Sequence, residues 1–391
     1  MPRKGPDGAD SSRSGILRLR RSGATAVARD LDPAAMTRIL TFPAAGRLLV
    51  FAPHPDDETL ATGELIQLAR AAGAAVRVVF ATDGDNNPWP QRWAERRVRI
   101  GTAERARWGK RRRGEAVAAL ARLGVPADEV RFLGWSDLGL TDKLERDDAA
   151  IDTLAAEVRD FAPTHVAMPS LHDRHPDHGA LRVMLELAIA RARSRCVCLG
   201  YVVHGRTADS GEWLLARDLE RHERKRDALL QHASQIILSR RRLLRWASQP
   251  ESFETGEPKS ATSIASNADS VLRIPLAPSY RFWRRHDVLL VLADGDRIER
   301  ARVSLPRPFR MHGRRVLGTG LCAGRATVEL VDDTLRIAFA GSARGYVKLE
   351  RRMPRLVIFD VQTWRRIEDF PALHETPARV EPVAVAQRAT L

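Results

Sequence analysis

Cysteine is scarce: three in 391 residues. That excludes a disulfide framework and a four-cysteine zinc site. Cys196 and Cys198 share one face of a strand-like run, and Cys322 lies far off. Long apolar runs are also missing, and none approaches the ~20 residues that span a bilayer. The N-terminal stretch "MPRKGPDGADSSRSGILRLRRSGATAVARDLDP" lacks the apolar core of a signal peptide, so the cytoplasm is the expected compartment. Acids are in deficit, with 49 Asp and Glu against 64 Lys and Arg, for a net charge of +15. Such a field favours anionic partners. No RNP stretch, zinc finger or basic zipper accompanies it, which argues against specific nucleic-acid binding.

What is present suffices for packed cores. Hydrophobic residues make up 44% of the chain, and its length exceeds what one core usually serves. Residues 1–45 read as a disordered basic extension, with a short helix near 34–40. From 46 to 240, apolar strand-like runs alternate with amphipathic helical ones. The strand candidates are 47–53, 76–84, 129–135, 165–170 and 197–205, rich in Val, Ile, Leu and Phe as buried parallel strands are. This alternation predicts a doubly wound, parallel α/β sheet with right-handed crossovers. A last helix, "ERHERKRDALLQHASQ", closes the domain. Residues 241–275 read as a linker. From 276 to 370 the period drops to two, with turn signals such as "ADGD", which predicts a small antiparallel β-sandwich. Residues 371–391 read as a tail.

Two stretches carry chemistry. "FAPHPDDETLATGEL" (51–65) places His54, Asp56, Asp57 and Glu58 where the first strand gives way to a helix. Adjacent carboxylates repel. A divalent cation resolves that repulsion; so, in part, does a helix N-terminus. The stretch alone leaves a helix cap and a metal site equally open. "SLHDRHPDHGAL" (170–181) decides between them, with His175, Asp177 and His178 after the fourth strand. In strand order 3-2-1-4-5, strands 1 and 4 flank the switch-point crevice where such sheets bind ligands. The two stretches then face one another. Two imidazoles, one carboxylate and an open position form the ligand set of hydrolytic zinc. A spare carboxylate can deprotonate a bound water, and an aspartate beside a histidine can fix its tautomer.

At these stretches the sequence resembles the PIG-L/LmbE-like zinc deacetylases of N-acetylated amino sugars and glycoconjugates. The family's first motif, Ala-His-Pro-Asp-Asp-Glu, stands here as "APHPDDE", with Pro53 in place of the usual alanine, and His-Pro-Asp-His is intact. "TDG" (82–84), Arg112, "FLGWSD" ending in Asp137, and "KRDALLQHASQ" (225–235) extend the resemblance over about 46–240. The resemblance implies a Rossmann-like fold. It implies zinc on His54, Asp57 and His178, a ligand set that suits iron as well. Asp56 would be the general base and His175 the general acid or oxyanion stabiliser, oriented by Asp177. Arg112 and Asp137 would contact sugar hydroxyls; a surface ion pair and a turn residue are the alternatives for them. The implied substrate is an N-acetylated sugar or glycoconjugate, and the basic charge suggests an anionic one.

Two other functions stay open on the sequence: cleavage of another acyl amide or a mycothiol-type conjugate at the same zinc, or a non-catalytic glycan- or nucleic-acid-binding protein. The basic stretch 85–113 carries Trp89, Trp93 and Trp108, which either stack on sugars or tuck against the core. The β domain lies outside the resemblance. It could bind glycan, cover the active site or mediate oligomerisation.

Overall fold

The computed structural model describes residues 38–205, 213–255, 270–276, 285–305, 313–332, 334–339, 344–352, 359–360 and 362–367. In chain order the first part contains β1 (Arg38–Ile39), β2 (Arg47–Ala52), α1 (Asp57–Ala71), β3 (Ala75–Thr82), α2 (Pro88–Glu95) and α3 (Thr102–Arg122). There follow β4 (Val130–Trp135), α4 (Leu140–Arg146), α5 (Asp148–Phe161), β5 (His165–Pro169), α6 (Pro176–Arg191) and β6 (Val197–Tyr201). Then come β7 (Trp213–Leu214), α7 (Leu219–Gln231), α8 (Ala233–Ala247) and β8 (Ser252–Thr255).

These strands form one sheet, ordered β1-β7-β8-β6-β5-β2-β3-β4. Its parallel centre, β4-β3-β2-β5-β6, has the doubly wound order 3-2-1-4-5 that puts the first and fourth parallel strands side by side. Alternate residues of β2 explain why both faces must be covered. Leu49 and Phe51 pack with α5 and α6, whereas Leu48 and Val50 pack with α1 and α3. The chain is therefore a doubly wound, Rossmann-like α/β fold.

Three expectations need correction. Residues 38 and 39 are not disordered or helical but pair in parallel with β7. Much of the expected linker is structured: residues 241–247 continue α8, and β8 adds antiparallel to β6, where it caps the parallel sheet with buried Phe253. Residues 256–269 lie outside the described residues, as do 1–37 and the tail at 371–391. The single closing helix is instead two, α7 and α8, broken at His232. The break has a cause: His232 is fully buried and its Nε2 lies 3.1 Å from Glu58 Oε1, which an uninterrupted surface helix would not permit.

The second part is a β-sandwich. Its strands are β9 (Ser270–Pro275), β10 (Arg285–Asp294), β11 (Arg297–Ser304), β12 (Arg314–Leu321), β13 (Ala326–Val331), β14 (Thr334–Phe339), β15 (Arg344–Arg352) and β16 (Arg365–Arg366). They form two four-stranded sheets, β11-β10-β15-β16 and β12-β13-β14-β9, antiparallel throughout. The "ADGD" signal is the β10–β11 turn, where Gly295 supplies φ +57°.

Strand β10 is buried on both faces. Val288, Leu290 and Leu292 enter the sandwich core, while Leu289, Val291 and Ala293 join the core around α5 and α6. The sandwich is thus seated on the α/β domain. A buried polar clasp reinforces the seat: Glu186 of α6 accepts from Arg182 Nε at 2.6 Å, Tyr346 Oη at 2.7 Å and Arg366 Nε at 2.9 Å.

Candidate active site

Strands β2 and β5 lie side by side, and the two histidine-bearing loops leave their carboxyl ends. At the first loop α1 begins with Asp57 and Glu58 in its first turn, where the helix dipole favours acids. Asp56 takes φ +129°, a strained conformation for a residue with a Cβ. Its neighbours hold the strain. The Asp56 N–H donates to Glu58 Oε2 at 2.8 Å, and Arg112 Nη2 donates to Asp56 Oδ1 at 3.1 Å. Glu58 is in turn fixed by Thr59 Oγ1 and His232. Burial, with Asp57 and Glu58 beside it, pushes the Asp56 carboxyl up to about 6 although Arg112 and His232 pull the other way.

Asp57 is the hub. Its Oδ2 lies 3.1 Å from His54 Nδ1 and 3.1 Å from His178 Nε2. The two rings are 5.5 Å apart by their centres. On its far side, His178 Nδ1 is 3.0 Å from Asp173 Oδ2. Neither His178 nitrogen is aligned for a hydrogen bond, although the side chain is wholly buried.

The charges explain what this cluster wants. Burial opposes a charged His54, yet Asp137, Asp177 and Asp57 hold its pKa well above the ordinary value. Burial opposes charge on His178 too, but Asp173 and Asp57 lift it to about 9. Burial would raise Asp57, and His178 with His54 outweigh it and keep it well below the carboxylate range. With no cation, the carboxylates draw protons onto two imidazoles. A divalent ion on the deprotonated rings satisfies the same demand. Two imidazole nitrogens converging on one carboxylate oxygen, with one imidazole's buried nitrogens lacking hydrogen-bond partners, fit such an ion. His54, His175 and His178 also bring ligand atoms within 4.8 Å of one another, as do Asp57, His178 and His204.

His175 caps α6, with its ring 4.7 Å from His54 and 5.1 Å from His178. Burial, then the charges on His54 and His178, drive its pKa well below the usual value. Its Nδ1 accepts the Asp177 backbone N–H at 3.3 Å, which leaves the neutral ring's proton on Nε2. The Asp177 carboxylate, expected to orient His175, turns away. Its Oδ2 accepts from Leu138 N–H at 2.7 Å and its Oδ1 from Leu140 N–H at 3.1 Å, and Oδ2 is 3.3 Å from His54 Nε2. The reason is that His175 Nδ1 is an acceptor here and offers a carboxylate nothing, whereas the N–H groups leading into α4 need partners.

Arg112 and Asp137 are both buried and both line the cavity above the cluster. Arg112 is no surface ion pair. Its Nη1 donates to Gly84 O at 2.6 Å and its Nη2 to Pro55 O and Asp56, so its guanidinium clamps the first motif. Asp137 Oδ1 is 3.2 Å from His54 Nε2, and its Oδ2 accepts from Asn86 N–H at 2.8 Å. Of the three tryptophans in 85–113, Trp108 is buried, while Trp89 and Trp93 are exposed and Trp89 lines the cavity.

Sequence reasoning missed several residues. Asp173 ties the second loop together by accepting from His175 N–H at 2.9 Å, Val203 N–H at 2.7 Å and His204 N–H at 3.0 Å. His204 stands 4.9 Å from His178. Its signal was available: it follows a strand end on the same sheet edge. From the β domain, Phe359 reaches the cavity, and nothing in its local sequence announced that. The cavity holds about 330 Å³.

Fold and site define a Rossmann-like α/β protein with a buried histidine–carboxylate centre suited to a divalent ion. Residues 49–189 match the model of the PIG-L family, described as GlcNAc-PI de-N-acetylase. The 1D-myo-inositol 2-acetamido-2-deoxy-alpha-D-glucopyranoside deacetylase of Mycobacterium sp. (strain KMS) is 34% identical over 189 residues, 44% of this chain and 59% of its own length. The protein of the same name from Mycobacterium avium (strain 104) is 40% identical over 149 residues, 34% of this chain and 47% of its own. The chain thus spans about half the length of the curated relatives it matches. Among solved structures, the N,N'-diacetylchitobiose deacetylase from Pyrococcus horikoshii aligns with a TM-score of 0.44 and 19% identity, over 55% of this chain and 85% of that one. At that distance the likeness carries no argument about chemistry.

Proposed function

We propose that the protein is a metal-dependent hydrolase that removes the acetyl group from an N-acetylated amino sugar or glycoconjugate and releases acetate. The observation that carries this reading is the position of Asp57 Oδ2, 3.1 Å from a ring nitrogen of both His54 and His178, with the Asp56 carboxylate next in the chain and held by Arg112. The match of residues 49–189 to the PIG-L family and the names of the mycobacterial relatives support the choice of an N-acetyl sugar.

In this reading His54, Asp57 and His178 hold zinc, or iron, which suits the same donors. The ion's contribution when bound is to polarise the acetyl carbonyl and to acidify water. Asp56 takes the proton of the attacking water. Its strained backbone and its bond to Arg112 fix it in place, and its raised pKa suits a group that must first accept a proton and then release it. His175 donates its Nε2 proton as a hydrogen bond to the carbonyl oxygen as negative charge develops there. A ring kept neutral serves that role better than proton delivery, so protonation of the departing amine falls to Asp56. Asp177 and Asp137 orient His54 from its far side. A pure binding protein has no use for a strained carboxylate beside such a cluster.

The test is acetate release from N-acetylglucosaminides by metal-replete protein. Release that a chelator abolishes and zinc restores supports the reading. No release from any N-acetylated sugar conjugate, with zinc bound, sinks it.

A further inference from the structure

The outer half of the cavity is made largely of residues beyond the family match, with Trp89 and Leu138 from within it. Helix α8 contributes Leu238, Arg242 and Trp246, at i, i+4 and i+8, so they share one face. The β domain contributes Phe359. An aromatic wall runs outward from the centre: His204 lies 5.2 Å from His175, and Phe359 and Trp246 lie 5.4 Å and 5.9 Å from His204. Phe359 is held there rather than left to wander. The next residue, Asp360, donates its N–H to Arg174 O at 2.8 Å, and its carboxylate is 2.7 Å from the buried Lys348 Nζ.

Exposure marks this rim as made for a ligand. Trp89, Leu138, Leu238 and Phe359 are 65%, 42%, 48% and 42% exposed, and all four ring this one cavity. Large apolar groups gathered around one opening indicate a contact surface. Charge adds specificity. Of the two arginines lining the cavity, Arg112 is consumed by Asp56 and two carbonyls. Arg242 donates to Ser239 Oγ at 3.2 Å and, among the described residues, meets no carboxylate. The carboxylates that line the cavity, Asp56, Asp57 and Asp137, all belong to the inner centre.

We propose that this outer half is a subsite for the group attached to the amino sugar, and that it selects a flat or apolar aglycone bearing a carboxylate or phosphate, with Arg242 pairing the anion. The proposal rests on the hydrolase reading above and names its substrate class. A guanidinium against either anion gives a bidentate, charge-assisted contact. Trp246 and Phe359 supply the apolar walls.

The test compares methyl, phenyl, 4-carboxyphenyl and 4-phosphophenyl glycosides of N-acetylglucosamine. For wild-type protein kcat/KM should rise from methyl to phenyl and rise again, roughly tenfold, for one or both charged aryl groups. The better of the two identifies the anion. Arg242→Gln should erase the second rise, and Phe359→Ala or Trp246→Ala should shrink the first. Binding of the corresponding deacetylated glycosides, followed by calorimetry, gives a readout that needs no turnover. Preferential binding of the charged aryl ligand without hydrolysis would sink the hydrolase reading and leave the subsite standing. Equal kcat/KM and equal affinity across the series, or a charged-ligand preference that survives Arg242→Gln, would overturn the subsite.

Discussion

His54 and His178 meet over a single oxygen: Asp57 Oδ2 is 3.1 Å from Nδ1 of the first and 3.1 Å from Nε2 of the second. One histidine follows β2 and the other opens α6, so the sheet's strand order is what joins them. Each ring edge is steered by an outer carboxylate, Asp137 and Asp177 for His54 and Asp173 for His178. Those outer contacts aim the inner nitrogens.

Asp56→Asn should leave metal content unchanged and lower kcat by about 10²–10⁴, the usual contribution of a general base. Zinc analysis and acetate release on the same preparation check it. Turnover close to wild type removes Asp56 from the role.

His178→Ala should lose metal. Both nitrogens of this ring sit between carboxylates, so its removal leaves Asp57 and Asp173 facing each other without the intervening charge. Zinc stoichiometry after dialysis should fall well below that of wild type. Full occupancy would take His178 out of the ligand set.

Gly179→Ala probes the contact between the second motif and the β domain. A Cβ on Gly179 would lie 2.9 Å from Trp364 Cδ1, and Trp364 is 1% exposed. Overpacking of this kind costs about 1–3 kcal/mol. The loss should nearly vanish when the same change is made on a Trp364→Ala background, because the two sites couple through one contact. Equal losses on both backgrounds would mean that the clash is not the cause.

The clasp at Glu186 gives a pH signature. Burial alone would raise its pKa, but Arg182 and Arg366 bring it down to about 2 from an ordinary 4.5. A depressed carboxylate stabilises the fold above its unfolded value. That stability is fully present above about pH 4.5 and is lost as pH falls towards 2, and the whole contribution is on the order of 3 kcal/mol. Wild type should therefore exceed Glu186→Gln in unfolding free energy at pH 6, with the gap closing as pH drops below 4.5. A gap that stays constant with pH would assign the effect to packing.

Much of the fold was legible because its signals were local. Five Val- and Leu-rich runs with helical spacers dictate a parallel sheet, and period-two alternation dictates the sandwich. That the two histidine-bearing stretches face one another was legible because in a doubly wound sheet the strands that precede them are neighbours, whereas the choice of His54, Asp57 and His178 as the ligand set came from the family resemblance. What escaped was set by tertiary packing. The direction of the Asp177 carboxylate depends on which loop N–H groups lack partners, and those belong to a segment near Leu138. The break at His232 depends on a buried Glu58 far away in sequence. The double burial of β10 gives a continuous apolar run, Val288–Ala293, but no pattern says what will cover its second face.

The central claim is that one cation is held between the two loops. Anomalous X-ray diffraction at the zinc absorption edge, on zinc-replete crystals, tests it most directly. The account predicts one dominant peak per chain, ligated by His54, Asp57 and His178, with zinc–nitrogen distances of about 2.0–2.1 Å. A dominant peak held by other side chains, or no peak at these three residues, would contradict it.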